Sequence, residues 1–253
     1  QVFPVSETAA ACRKVLAEQG TLALQYSATE GYLPLREMLG RHMERYGIRV
    51  TPANVLITSG SQQALDLIGK LLINPGDRLL VEAPTYVGAL QAFNSYEARY
   101  LTVPLDGDGL QVDKLEQELR SGPKFLYVLP NFHNPAGTTL TVERRNRLVE
   151  LASHYGVPIL EDDPYGQLRY EGDHLPPLVE IDSEYHGERT GKAAAGGRFR
   201  GGVIYLSSLS KTLAPGLRIA WVVAPTDVIG RLLQIKQGAD LHTSTSSQMV
   251  AYE

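Results

Sequence analysis

Short apolar runs alternate with helical patterns along most of the chain, and this alternation is the strongest constraint on its fold. Between the runs, apolar residues at helical spacing, such as Ala64, Leu65, Ile68 and Leu71, predict connecting helices. The order predicts βαβ units, and therefore an α/β fold with a mostly parallel central sheet and helices on both faces. The runs that predict strands are 55–58, 78–82, 125–129, 157–160, 203–206 and 219–223.

The composition is that of an ordinary globular protein and argues against several classes of function. Apolar residues make up 43% and charged residues 21% of the 253 residues, which excludes a disordered or fibrous chain. A formal net charge of −4 without a basic tract argues against a nucleic-acid partner. The single cysteine, Cys12, excludes internal disulfides and a cysteine-rich metal site and indicates a reducing cytoplasm. Because no apolar run has the length of a membrane span, we expect no membrane partner.

The segments that follow the strands are the candidate site, because ligands of parallel sheets bind beyond the carboxyl ends of the strands. Residues 59–63 form a small-residue turn that opens a helix, whose free N–H groups would suit a phosphate, although many structural turns look the same. In a loop rich in Pro and Gly after 125–129, Asn134 could offer its amide to a ligand oxygen, with a purely structural turn as the alternative. We expect His133, beside it, to be solvated.

Acidic and phenolic side chains follow the strand at 157–160. A carboxylate from Asp162 or Asp163 could hold a protonated ring nitrogen, and the hydroxyl of Tyr165 could donate to an oxygen on the same ring. A solvated acidic turn is the alternative for this segment. A metal site is less favoured, because no histidine stands at ligand spacing.

A lysine in a run of small hydroxylated residues follows the strand at 203–206. If Lys211 is partly desolvated and near cationic groups, its amine can lose a proton and form a Schiff base. Ser208 and Arg218 could hold a dianionic phosphate, Arg218 through its planar guanidinium group.

Two glycine-containing segments look like nucleotide-binding motifs but lack essential residues. In 187–193 the glycines are separated by three residues instead of four, and Ala193 stands where Ser or Thr is required. Residues 107–109 lack the third glycine of a dinucleotide fingerprint. We interpret both as loops, and we expect 183–202 to be an exposed, mobile insertion.

Taken in order, the post-strand segments resemble the pyridoxal-phosphate-dependent aminotransferases of fold type I, class I and II. The resemblance is strongest to the branch of 2-aminoadipate and kynurenine aminotransferases, whose catalytic domain also occurs in MocR-type transcription regulators. It covers nearly the whole chain. The segments that carry it are LQYSATEGYLPLR at 24–36, TSGSQQA at 58–64, NPAG at 134–137, DDPY at 162–165 and SLSK at 208–211.

The resemblance implies a chemical role for the residues around the ring of pyridoxal 5′-phosphate. Lys211 would carry the cofactor as a Schiff base and shuttle a proton, and Asp162 would pair with the ring nitrogen. Tyr165 and Asn134 would contact the 3′ oxygen of the ring. Tyr86 would stack on the ring, although a core tyrosine is the alternative.

The resemblance also implies a phosphate site and a homodimer. Ser61, Gln62, Ser208 and Arg218 would hold the phosphate within one chain. Tyr26 of the partner subunit would complete this site. The partners of the protein would then be a second copy of the chain and small-molecule substrates.

As a whole, the resemblance implies an aminotransferase that moves an amino group from 2-aminoadipate, an aromatic or a branched-chain amino acid to a 2-oxo acid such as 2-oxoglutarate. Residues 1–50 would form a helical arm on the dimer and substrate side, and residues 51–253 the cofactor-binding large domain. We expect the chain to lack the C-terminal small domain of the family, which holds the arginine for the substrate carboxylate. Two alternatives stay open: the effector domain of a MocR-type regulator, and an inactive truncated fragment.

Overall fold

The computed structural model describes residues 3–45, 47–189, 199 and 201–253, and in this part of the chain eight strands form one sheet. The strands are β1 (Val55–Thr58), β2 (Arg78–Ala83), β3 (Arg99–Asp106), β4 (Gly109–Leu110), β5 (Leu126–Val128), β6 (Ile159–Asp162), β7 (Val203–Ser208) and β8 (Ala220–Val223). The helices are α1 (Val5–Ala23), α2 (Leu33–Glu44), α3 (Ser61–Leu72), α4 (Val87–Asn94), α5 (Leu115–Leu119), α6 (Val142–Tyr155), α7 (Leu178–Arg189), α8 (Thr226–Ala239) and α9 (Thr245–Tyr252).

The sheet has the order β1-β8-β7-β6-β5-β2-β3-β4. Strands β7, β6, β5, β2 and β3 pair in parallel, whereas β8 is antiparallel to both of its neighbours and β4 is antiparallel to β3. This arrangement confirms the predicted α/β fold with a mostly parallel sheet. All six predicted strands form, with ends that differ by at most two residues from the prediction.

Helices cover both faces of the sheet, as the sequence predicts, and successive strand residues point to opposite faces. On one face, Leu126 and Val128 of β5 join a core with residues of α2, α5, α6 and α7. On the other face, Tyr127 joins a core with residues of α3, α4 and α8. Because the central strands are buried on both faces, they consist of continuous apolar runs rather than alternating ones.

Two features differ from the sequence analysis. Strands β3 and β4 are not predicted, because β3 lies next to the sheet edge, is half exposed and contains Pro104, so it has no continuous apolar run. The expected mobile insertion is wrong for residues 183–189, which lie in α7, where Tyr185 packs against the core. The rest of the expected insertion up to residue 198, and most of the 187–193 segment, lie outside the described residues. Among the described residues, no helix is both long and apolar enough to cross a membrane.

Candidate active site

A cavity of about 340 Å³ lies where the parallel strands end. Its walls come from the segments that directly follow β1, β2, β5, β6 and β7, and from the turn that precedes β8. This is the position that parallel sheets offer to ligands. The lining residues are Ser61, Gln62, Tyr86, Leu129, Asn134, Asp162, Pro164, Tyr165, Ser208, Ser210, Lys211, Pro215 and Arg218.

Nine of the ten residues to which the resemblance assigns a role at the cofactor line this one cavity. The exception is Tyr26, which is 76% exposed and has its ring edge-on to His242 at 5.9 Å between centroids. It does not contribute to the cavity of its own chain. The predicted residues therefore meet at one place, apart from the one that is expected to act on a second subunit.

Asp162 ends β6 with its side chain buried against the cavity. The hydroxyl of Tyr127 donates a hydrogen bond of 2.7 Å to its Oδ2, whereas Oδ1 is buried and has no hydrogen-bond partner among the described residues. Burial raises the pKa of Asp162 to about 7; the hydrogen bond from Tyr127 opposes this shift and the nearby charge of Asp163 adds to it. Oδ1 is thus an acceptor that still needs a cation or a donor.

The neighbouring acids, Glu161 and Asp163, are both buried and bind other groups. The alternative of a solvated acidic turn is therefore wrong. Asp163 accepts hydrogen bonds from the Asn131 amide at 3.0 Å, the Gly166 N–H at 2.9 Å and the Tyr205 hydroxyl at 3.3 Å. Glu161 accepts from the first two N–H groups of α7, at 2.8 and 2.9 Å. Only Asp162 of the three acids lines the cavity.

Lys211 stands three residues beyond β7, with its Nζ 5.7 Å from the centroid of the Tyr165 ring. The turn before it is fixed by Ser208, whose Oγ accepts a hydrogen bond of 2.9 Å from the Ser210 N–H. Lys211 is exposed, so the residues that the structure describes do not supply the desolvation on which the sequence argument depends. A ligand or a second chain over the cavity would supply it.

Another part of the cavity wall is suited to an anion. Ser61 and Gln62 begin α3, a helix of 12 residues whose N-terminal N–H groups and dipole favour negative charge. The Arg218 guanidinium lies over the turn at Gly60, where it donates a hydrogen bond of 3.4 Å to the Ser59 carbonyl. Gly60 has a φ of +88°, and a Cβ there would overlap the Arg218 guanidinium.

An ion pair between the buried Lys236 and the exposed Asp240 supports this turn, and it is not among the sequence predictions. Lys236 of α8 is fully buried and donates to Asp240 at 2.6 and 2.8 Å. Asp240 in turn accepts from the Ser59 hydroxyl at 3.0 Å and from the Gln63 amide at 2.7 Å. The network connects α8 to the first turn of α3 and so restricts the turn at residues 59–61.

The expectation that His133 is solvated is wrong. Its side chain is buried, with Nε2 3.2 Å from Oε2 of the buried Glu82, and its Nδ1 accepts a hydrogen bond of 3.2 Å from the Ala136 N–H. Glu82 Oε2 also accepts from the Leu129 N–H at 2.8 Å. Burial raises the pKa of Glu82, opposed by His133. A carboxylate directly after the apolar run 79–81 of β2 is the signal that could have identified Glu82.

The family model described as aminotransferase class I and II matches residues 2–252. The chain is 45% identical over 260 residues to aromatic-amino-acid aminotransferase 1 of Thermococcus litoralis, which covers 100% of this chain and 58% of that protein. It is 36% identical over 256 residues to the HTH-type transcriptional regulator YdfD of Bacillus subtilis, covering 100% of this chain and 49% of the regulator.

A solved structure matches both the fold and the sequence. The α-aminoadipate aminotransferase LysN of Thermus thermophilus, complexed with N-(5′-phosphopyridoxyl)-L-leucine, has a TM-score of 0.88 and 44% identity. The match covers 99% of this chain and 60% of that one. The chain therefore spans about three fifths of the length of the aminotransferases it matches.

Proposed function

The chain belongs to the class I and II aminotransferase family, with the large-domain fold of the fold type I enzymes, and from this premise we propose that it forms the cofactor-binding part of an aminotransferase that uses pyridoxal 5′-phosphate. The observation that carries the proposal is the meeting of three groups at one cavity: the amine of Lys211, the unpaired carboxylate oxygen of Asp162 and the guanidinium of Arg218. An amine, an acid and an anion site are what an aldehyde, a ring nitrogen and a phosphate require.

The residues present fit this cofactor. Asp162 Oδ1 is buried without a hydrogen-bond partner among the described residues, and a protonated ring nitrogen would satisfy it. The N-terminus of α3 and Arg218, which line the same cavity, match a dianionic phosphate. Asp162 and the groups that match the phosphate lie in different parts of the fold. Their fit to one molecule therefore gives two independent observations that support the proposal.

When bound, pyridoxal phosphate supplies an aldehyde that condenses with amines and a ring that withdraws electrons from the attached carbon. Lys211 would anchor the cofactor through Nζ and would move the proton of the substrate α-carbon. Asp162 would hold the proton on the ring nitrogen. Tyr165 and Asn134 would orient the ring through its 3′ oxygen, and Tyr86 would pack on the ring face.

The phosphate site would be shared between two chains. Ser61, Gln62, Ser208 and Arg218 would bind the phosphate within one chain. The exposed Tyr26 would reach the phosphate bound to the other chain of a homodimer, with residues 1–50 as the arm and 51–253 as the cofactor-binding domain. A second chain over the cavity would also desolvate Lys211. A cytoplasmic location stays a prediction.

The substrates follow from the relatives. The matched enzymes act on aromatic amino acids and on α-aminoadipate, and one of them holds a leucine adduct of the cofactor. We therefore propose 2-aminoadipate, an aromatic or a branched-chain amino acid as the donor and a 2-oxo acid such as 2-oxoglutarate as the acceptor. The similarity to the regulator YdfD favours a second candidate, a domain that binds the cofactor as a signal without turnover.

The two candidates differ in what happens after the cofactor binds. The protein is loaded with pyridoxal phosphate, mixed in turn with L-2-aminoadipate, L-phenylalanine and L-leucine, and assayed for pyridoxamine phosphate and the matching 2-oxo acid. An aminotransferase converts the cofactor with at least one donor, and Lys211→Ala abolishes the conversion, whereas the control Lys124→Ala, at an exposed lysine, retains it. Cofactor that binds but is not converted by any donor favours the regulator.

A further inference from the structure

Tyr127 and Asp162 lie on neighbouring parallel strands and point to the same face of the sheet. Tyr127 in β5 pairs with Leu160 in β6, and Asp162 follows two residues later, which places its side chain on the same side as Tyr127. The Tyr127 hydroxyl thus reaches forward along the sheet to the strand end, where it donates its 2.7 Å hydrogen bond to Asp162 Oδ2.

The surroundings of Tyr127 give its hydroxyl few ways to bind elsewhere. The side chain is fully buried, and its ring packs edge-on against Phe93 with 5.8 Å between centroids. A buried hydroxyl without a partner is costly, and a buried carboxylate favours every donor that it can bind. The two groups therefore hold each other in one arrangement.

The hydrogen bond from Tyr127 determines which oxygen of Asp162 is left without a partner in the described part of the chain. With Oδ2 bound to Tyr127, the carboxylate cannot rotate freely, and Oδ1 becomes the oxygen that has no partner among the described residues. A hydrogen bond to the ionised form of an acid also favours that form over the protonated one. Burial has the opposite effect, because it favours the protonated form and raises the pKa of Asp162.

We propose that Tyr127 is a positioning residue that presents Asp162 to the cavity as an oriented carboxylate, and so sets how strongly the chain recognises a protonated ring nitrogen. This inference rests on the proposed function, because the ring nitrogen is that of pyridoxal phosphate. Tyr127 would then affect the recognition of one ligand atom, the ring nitrogen, rather than the binding of the ligand as a whole.

The test compares pyridoxal phosphate with its 1-deaza analogue, in which carbon replaces the ring nitrogen. The dissociation constants of both are measured at one pH for the parent, Tyr127→Phe and the matched control Tyr205→Phe. Tyr205 is also a buried tyrosine of the sheet, and its hydroxyl donates to Asp163, which does not line the cavity. Thermal unfolding midpoints of the three proteins show whether the Phe variants keep their fold, which we expect since both rings remain.

The parent should bind pyridoxal phosphate more tightly than the analogue, and the ratio of the two dissociation constants should fall about tenfold in Tyr127→Phe, the size of one hydrogen bond to a charged group. In Tyr205→Phe the ratio should stay within about twofold of the parent. In an Asp162→Asn background, adding Tyr127→Phe should cause no further change, because the carboxylate on which it acts is gone. A ratio that is the same in Tyr127→Phe and the parent overturns the role of Tyr127. A parent that binds both ligands equally instead overturns the proposed contact of Asp162 with the ring nitrogen.

Discussion

Glu82 and His133 form a buried pair, with 3.2 Å between Oε2 and Nε2. Glu82 lies in β2 just before the loop that carries Tyr86, and His133 immediately precedes Asn134 in the loop after β5. Two walls of the cavity are thus joined behind its surface. By linking the two loops, this pair restrains the positions of Tyr86 and Asn134.

Replacing His133 by alanine should destabilise the protein by about 3 kcal/mol, because the change leaves a cavity and removes one of the two partners of the buried Glu82 carboxyl group. Cofactor affinity should fall several-fold, since Asn134 loses its support. Urea unfolding and a cofactor titration measure the two effects. His154→Ala, at an exposed histidine of α6, is the control and should change stability by less than about 0.5 kcal/mol. Equal losses in the two variants would contradict a structural role for the pair.

Burial of Asp162 predicts that the cofactor-free chain is less stable at pH 8 than at pH 5. Its pKa in the folded chain is raised from 3.8 to about 7, so the folded state retains a proton that the unfolded state releases. The resulting stabilisation is complete below the unfolded pKa and is lost as the pH rises through 7. Asp162→Asn should therefore be more stable than the parent at pH 8, by about 1–3 kcal/mol.

Urea unfolding at both pH values tests this prediction, with Asp173→Asn, at an exposed position, as the control. Part of the pH dependence should remain in Asp162→Asn, because burial also raises the pKa of Glu161 to about 8 and that of Glu180 to about 7. An Asp162→Asn protein with the same stability as the parent at pH 8 would show that the buried carboxylate carries no such cost.

Alanine substitutions at Gly60 and Gly76 distinguish the effect of backbone strain from a direct effect on the proposed anion site. Both have a left-handed φ, of +88° and +84°, so alanine at either position should cost about 1 kcal/mol or more. Only at Gly60 would the added Cβ overlap the guanidinium of Arg218, whereas the space at Gly76 is open. The affinity for pyridoxal phosphate relative to pyridoxal, which lacks the phosphate, should fall about tenfold in Gly60→Ala and stay constant in Gly76→Ala. The same affinity ratio in both variants would show that Arg218 and this turn do not bind the phosphate.

The sequence predicts the fold well where burial is complete. Strands β1, β5 and β7 are buried at every residue and therefore contain continuous apolar runs, whereas β3, half exposed near the sheet edge, gives no such signal. Most of the residues around the cavity are also predictable, because parallel strands bring the segments after them to one edge of the sheet, whereas Tyr86 follows only from the resemblance to the family.

The contacts behind the cavity are not predictable in the same way. Tyr127 and Asp162 are 35 residues apart, and Lys236 lies 173 residues from Gln63, to which it donates a hydrogen bond beside the turn at residues 59–61. Such pairs depend on strand register and helix packing, which periodicity does not specify. For the same reason a histidine in a loop, His133, is predicted to be solvated although the neighbouring strand end buries it.

The central claim is that this cavity holds pyridoxal phosphate on Lys211. The most direct measurement adds the cofactor, records the visible absorbance, reduces the complex with borohydride and locates the added mass by peptide mapping. The claim predicts an absorbance change in the parent that is missing in Lys211→Ala, and a label on Lys211 but not on the buried Lys236. A parent spectrum identical to that of the free cofactor, or the same labelling in Lys211→Ala, would contradict it.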